Sequence, residues 1–398
     1  MRLIFVHQNP LPSPDPASLQ VISTSAALAK QSEVHLIASK GGHETIGDYY
    51  NLYIPNTLYF HLLKRPTIDL PYLRFTWNLP FYISSLIKIL QLVRMQKIDA
   101  LLVRNLKLGH FLLKWRRFLN IPLIIFETHE IFTLSFRDEI NIRGKNPAKE
   151  KKLARRESFV YRNADGLICI TKHLSDMIRD EFKINKKLLV APDGIDLDAL
   201  HINNHASGIQ NRVKPGKTLL YLGSLHHWKG IDVLIEAMKF MPGIFLLIVG
   251  GNTERINYYK SFAIKHRVAD RIHFEGFVVP GKRFEYFSIA DVCILPLKPI
   301  HIASYFTSPL KLFEYMASGK PIVASDLPSI REILKHNVNS ILVPPDNPES
   351  LASGIRFILE NPLFAEKIAR QAAVDVLSHT WDKRAKIIID FIRSYGHR

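Results

Sequence analysis

Lys311 and Glu314 stand three residues apart in the run Ser308-Pro309-Leu310-Lys311-Leu312-Phe313-Glu314-Tyr315-Met316-Ala317-Ser318-Gly319. The run reads as a helix with marked ends. Ser308 suits the N-cap, Pro309 the first helical position and Gly319 the left-handed stop. Leu310, Phe313 and Ala317 fall on one apolar face; Lys311, Glu314 and Ser318 fall on another. The helix start offers N–H groups to an anion, and the Glu314 carboxylate follows about one turn later. Phosphates next to sugar hydroxyls fit that pair. A second cation, Lys229, falls at a strand–loop–helix junction, where an ammonium beside free N–H groups holds a phosphate as a point charge. His129 lies in Glu127-Thr128-His129-Glu130, just past a buried strand, where parallel sheets place their chemistry. An imidazole there positions or polarises a substrate hydroxyl. Plainer readings stand beside these: a surface Lys311–Glu314 pair on a packed helix, and a structural turn histidine.

Strands and helices alternate around these groups, which predicts an α/β fold with parallel sheets. Residues 3–6 and 33–38 read as strands around a helix over 18–30, with a proline-rich loop before it. Strands follow at 98–103, 122–126, 166–171 and 188–191, with charged helix over 137–157 and helix over 173–181. The polar stretch 201–217 is the best linker. The alternation then restarts with strands at 218–223, 245–249, 272–278, 291–296, 321–325 and 340–343 and helices over 231–240 and 330–336. Helices over 348–360, 362–377 and 381–395 close the chain. Two domains of similar size, facing across a cleft, are expected: 1–196 with 379–398, and 197–378.

The 398 residues carry a formal charge of +17, which points to a polyanionic partner such as a phosphorylated substrate, an anionic membrane or nucleic acid. Residues 61–120 hold eleven basic side chains against Asp69 and Asp99, interleaved with Phe75, Trp77, Phe81, Tyr82, Phe111, Trp115 and Phe118. Basic helices with aromatic residues lie on anionic membranes; a solvated face over a core is the plainer reading. No helix-turn-helix, zinc-finger or ribonucleoprotein motif supports nucleic acid, so no nucleic-acid partner is expected. Cys169 and Cys293 sit in apolar runs as core residues of a reducing compartment, and neither spacing fits a metal. The chain start reads as a first strand rather than a signal peptide, and no apolar run reaches the ~18–20 residues that span a bilayer.

Several spaced pieces resemble the retaining glycosyltransferases of family 4, whose GT-B fold joins two Rossmann-like domains. They are Pro192-Asp193-Gly194-Ile195-Asp196, Gly223-Ser224-Leu225-His226-His227-Trp228-Lys229-Gly230, Ile248-Val249-Gly250-Gly251, Phe274-Glu275-Gly276, Ala290-Asp291-Val292 and Leu312-Phe313-Glu314-Tyr315-Met316-Ala317. The resemblance covers the C-terminal half; the N-terminal half matches loosely through Glu127-Thr128-His129-Glu130. It implies a nucleotide-diphosphate-sugar donor as substrate, no cofactor and no required metal. Lys229 would bind the diphosphate, Glu314 the ribose hydroxyls, and N–H groups after Pro309 the phosphate oxygens. His129 would line the sugar and acceptor pocket, and the backbone near Phe277 and Val278 would read the base. Gly223, Ser224, Gly250, Ser308, Leu310 and Lys311 complete the implied donor site. The final helix, with Trp381, would return to the N-terminal domain. The acceptor would be a glycan or lipid-linked glycan at the inner membrane face, with the protein cytoplasmic and peripheral there.

Three departures matter. Ser224 stands where the family often has arginine, Phe306 stands where it has the first of two glutamates eight residues apart, and the glycine pair after the first strand is missing. Lys311 is placed to supply a charge near the site. The alternative reading is a non-catalytic GT-B-like scaffold that binds a membrane or partner. An epimerase or phosphorylase on the same fold is a third.

Overall fold

The computed structural model describes residues 1–64, 78–143, 146–198 and 216–396, the side chains of 139–143 aside. The expected linker, except its last two residues, lies outside them, as do Arg65, Asp69, Arg74, Phe75 and Trp77 of the basic segment. The chain forms two compact units, Met1–Pro192 with Trp381–Arg398, and Asp193–Thr380.

Apolar runs buried on both faces pair in parallel, because helices must cover both sides of the sheet. In the first unit the strands are β1 (Arg2–Leu11), β2 (Glu33–Lys40), β3 (Leu58–Leu63), β4 (Ala100–Val103), β5 (Leu123–Thr128), β6 (Gly166–Cys169) and β7 (Leu188–Val190). They form one parallel sheet in the order β3-β2-β1-β4-β5-β6-β7. Its helices are α1 (Pro16–Ala29), α2 (Ile46–Tyr50), α3 (Leu79–Met95), α4 (Leu106–Lys114), α5 (Arg116–Leu119), α6 (Phe132–Arg143), α7 (Pro147–Asn163) and α8 (Lys172–Phe182). Side-chain caps set their starts: Asp15 accepts from the Ala17 N–H at α1, and Asn105 from Lys107 and Leu108 at α4. Two expectations change here. β1 runs on to Leu11 and takes in Pro10, at a register shift between His7 and Pro10; proline is tolerated at such an irregularity. β3 was not expected, because an edge strand of Leu-Tyr-Phe-His-Leu-Leu, only part-buried, lacks the continuous apolar run of its neighbours.

The second unit has β8 (Thr218–Leu222), β9 (Phe245–Val249), β10 (Ile272–Gly276), β11 (Val292–Leu295), β12 (Ile322–Ser325) and β13 (Ile341–Val343). They pair in parallel in the order β10-β9-β8-β11-β12-β13. Leu219, Tyr221, Leu246 and Ile248 face one core and Leu220, Leu222, Leu247 and Val249 the other, so both faces are covered. Its helices are α9 (Ile231–Ala237), α10 (Thr253–Lys265), α11 (His301–Ser304), α12 (Leu310–Ala317), α13 (Pro328–Arg331), α14 (Pro348–Glu360) and α15 (Pro362–Asp375). α10 escaped the sequence because a mostly exposed helix buries only Tyr259 and Ala263. The helix expected over 330–336 is the single turn α13. The last helix, α16 (Trp381–Arg393), belongs to the first unit and packs on α1. Cys169 and Cys293 are buried and unbridged.

Candidate functional site

Each sheet reverses its order of succession once, between β1 and β4 and between β8 and β11. Ligands in such sheets bind outside the carboxyl ends of the strands at that point.

In the second unit β8 ends at Leu222, and Gly223 donates its N–H to the Val249 carbonyl at 2.8 Å. Gly250 donates to the Gly276 carbonyl at 2.7 Å. Both have φ values that favour glycine, 124° and 116°. Space demands it at Gly250 as well, where a Cβ would meet the Gly223 carbonyl oxygen at 2.3 Å, while one on Gly223 would press on the Lys311 amine at 2.7 Å. Ser224 accepts from the Tyr221 hydroxyl through its carbonyl at 2.7 Å.

α12 differs from its sequence reading at its start. Pro309, with extended backbone, takes the N-cap position, and the helix begins at Leu310. Ser308 does not cap it; the buried hydroxyl accepts the Asp193 N–H at 3.0 Å. Lacking a side-chain cap, α12 leaves the Leu310 and Lys311 N–H groups without intrahelical acceptors. Leu310 is half-buried, while Leu312, Phe313, Tyr315 and Met316 enter the core. The stop is as expected, with Gly319 at φ 67°.

The exposed Lys311–Glu314 pair is not formed. Lys311 is 9% exposed, its amine lies 3.7 Å from the centre of the Tyr221 ring, and it has no hydrogen-bond partner among the described residues. Glu314 is held instead by Arg283, whose Nη2 and Nε reach Oε1 at 2.7 and 2.8 Å. Arg283 also donates to the Pro280 carbonyl at 2.8 Å. Lys229 follows the β8 loop on a 3-10 turn, His227–Lys229, with its amine 3.5 Å from the centre of the Trp228 ring. Burial pushes the Lys229 pKa down to about 7. Burial holds Lys311 well below its ordinary value, the Lys229 charge adds to this, and Glu314 opposes it. Burial thus disfavours the charged form of both amines, and at Lys311 the Lys229 charge adds to it. Val278 packs on the core and Phe277 is 54% exposed, both just beyond β10. Phe306 is wholly buried, so no carboxylate occupies that position.

In the first unit β5 delivers Glu127, wholly buried, and His129, whose side chain is 20% exposed. Glu127 Oε1 accepts from His129 Nε2 at 2.7 Å, Gln20 Nε2 at 2.6 Å and Arg384 Nη2 at 2.9 Å. Arg384 comes from α16 and also donates to the Thr24 hydroxyl and the Pro192 carbonyl. Arg104, just past β4, donates to Gln20 Oε1 at 2.6 Å. Burial works to raise the Glu127 pKa, but Arg384, His129 and Arg104 outweigh it and hold the carboxyl well below its usual range. Burial, then the Arg104 charge, pushes His129 down to about 4 against the pull of Glu127. His129 is therefore neutral at neutral pH, with Nε2–H committed to Glu127 and Nδ1 left as the acceptor. Arg384, Gln20 and Arg283 were not found in the sequence. Arg384 lies 257 residues from Glu127, and no local spacing signals such a pair. Among the described residues no group of three or more His, Cys, Asp or Glu is set to hold a metal.

Two family models match the chain in succession. "Glycosyltransferase Family 4" matches residues 17–199 and "Glycosyl transferases group 1" residues 205–375. A glycosyltransferase of Methanocaldococcus jannaschii is 33% identical over 176 residues, 43% of this chain and 43% of that protein. The chain thus spans about half the length, or less, of the first curated relatives it matches. Among solved structures, sucrose-phosphate synthase of Thermosynechococcus elongatus aligns with a TM-score of 0.77 at 18% identity, covering 99% of both chains. HepE of Anabaena, solved with UDP-glucose, aligns with a TM-score of 0.74 at 16% identity over 99% of this chain and 100% of that one. The chain belongs to the family 4 glycosyltransferases and has the GT-B fold of two Rossmann-like α/β units.

Proposed function

We propose that the protein is a retaining glycosyltransferase that moves a sugar from a nucleoside-diphosphate donor to a hydroxyl of a glycan or lipid-linked glycan. The observation that carries this reading is the buried Lys311 amine, without a partner and in the field of Lys229. Burial without a counter-ion disfavours the charge on this amine, and a diphosphate would supply the opposite charge that restores it. HepE, a structural neighbour, is solved with UDP-glucose, which favours a uridine nucleotide.

When the donor's bond from the anomeric carbon to the diphosphate breaks, negative charge grows on the departing oxygen. Lys229, Lys311 and the free N–H groups of α12 are preorganised for it. Lys311 does here what the arginine replaced by Ser224 does elsewhere in the family. Glu314, oriented by Arg283, accepts the ribose hydroxyls, and the backbone at Phe277 and Val278 meets the base. The acceptor oxygen bonds to the anomeric carbon on the face the diphosphate leaves, and its proton passes to the departing phosphate oxygen. Neutral His129, its tautomer fixed by Glu127, takes a substrate hydroxyl at Nδ1.

The test is NMR of the sugar first released from UDP-glucose, read before mutarotation. Release of the α-anomer from this α-linked donor supports retention; the β-anomer refutes it. Lys229→Ala should abolish turnover, and unchanged turnover would refute the role of that amine.

A further inference from the structure

A second cationic feature lies in the first unit, at the opposite end of its sheet. Residues 96–98 before β4 and 120–122 before β5 join the ends of α3, α4 and α5 around an open cavity of about 1050 Å³. Arg94, Lys97, Lys114, Arg116 and Arg117 line it, and none of its lining residues is acidic. Between residues 78 and 122 the chain has eight basic side chains against Asp99 alone. Arg116 is neutralised by Asp165 at 2.8 Å, whereas Arg94, Lys97 and Lys114 are exposed cations. None of this belongs to the His129 network, which lies at the carboxyl ends of the strands.

The same helices present apolar side chains to solvent. α3 buries Phe81, Tyr82, Leu86, Ile89 and Leu92, yet its outer face carries Leu79, Ile83 and Ile87 at four-residue steps, all close to half exposed. Met95, at its end, is 82% exposed, and Trp115 and Phe118 stand out at the α4–α5 junction. An outer helix face is ordinarily polar. Apolar and aromatic side chains set among unpaired cations match a lipid interface, where the former enter the headgroup boundary and the latter meet anionic phosphates. A second copy of this chain would set like charge against like, which opposes self-association through this face. Among the described residues no helix is long and apolar enough to cross a membrane, so this surface would bind at the face of a bilayer.

We propose that the outer face of α3 with the α4–α5 junction and the basic cavity docks the protein on an anionic phospholipid surface. The proposal goes beyond the transfer reaction and does not rest on it. The test is co-sedimentation of the full chain, without donor or acceptor, with vesicles of phosphatidylcholine alone and of phosphatidylcholine with phosphatidylglycerol. Binding is expected only with phosphatidylglycerol and should fall with added salt, since exposed charges are screened over about 10 Å at ~0.1 M. The combined variant Arg94→Gln, Lys97→Gln, Lys114→Gln should lose roughly fivefold in partition per cation, on the order of a hundredfold in all. Ile83→Ser with Ile87→Ser should weaken binding with the charge unchanged, and circular dichroism would verify that both variants fold. Equal partition onto both vesicles, wild-type binding by the folded charge variant, or no binding by folded wild type would overturn the proposal. Tighter binding to duplex DNA than to the phosphatidylglycerol vesicles would also overturn it and assign the surface to nucleic acid. Donor turnover, measured separately, stands or falls independently.

Discussion

Nucleoside-diphosphate binding in the second unit should take up protons. Burial holds Lys229 at about 7, so at about pH 8 roughly nine-tenths of these amines are neutral in the free protein. Lys311 is held low by burial and then by Lys229. A bound diphosphate favours the charged form of both. The sign follows directly: the complex binds more protons than the free protein, so affinity strengthens as pH falls and weakens as pH rises. With Lys229 alone titrating, Kd should rise about tenfold per pH unit above about pH 7, and towards about a hundredfold where Lys311 titrates too. Isothermal titration calorimetry with UDP between about pH 7 and about pH 9, in buffers of different ionisation enthalpy, reads both Kd and the proton count. Lys311→Met should leave a shallower slope and fewer protons taken up. A Kd that stays flat over this range, with heats independent of buffer, would refute the reasoning.

Other outcomes follow from the same geometry. Lys311→Met should stabilise the unliganded protein by on the order of 1–3 kcal/mol in chemical denaturation, because it removes a buried donor without a partner, while nucleotide affinity falls. Arg384→Met should destabilise the first unit by about 3–5 kcal/mol, since it removes the guanidinium bonded to the wholly buried Glu127 carboxylate; denaturation that is unchanged would contradict the network. Gly223→Ala should keep the circular dichroism spectrum and lose nucleotide binding, because the new methyl group meets the Lys311 amine. Arg283→Met should raise the KM for the donor more than it lowers kcat, since it frees Glu314 from its fixed orientation.

Most of both sheets was legible in the sequence, because continuous apolar strands such as Thr218–Leu222 and Leu123–Thr128 are buried at nearly every position. Elements that bury little, β3 and α10, carried no such signal. Motif spacing drew attention to Lys229, Glu314 and His129, but the partners that set their chemistry were hidden. Arg283 reaches Glu314 from a 3-10 segment, Pro280–Ile289, that no periodicity marks. Arg384 reaches Glu127 from the last helix. The helical wheel placed Lys311 with Glu314 on a polar face; the structure buries it over Tyr221 instead, because that face of α12 turns toward the β8 loop and Gly223 has no side chain to exclude it.

A thermal-shift series with UDP, GDP, ADP and TDP, run on wild type and on the Lys229→Met, Lys311→Met double variant, tests the donor site most directly. A ligand that binds only the folded state raises the melting temperature by an amount that grows with the logarithm of its concentration over Kd. The account predicts a rise with one nucleotide in wild type and none in the double variant. No rise with any of the four, or an equal rise in both proteins, would contradict it.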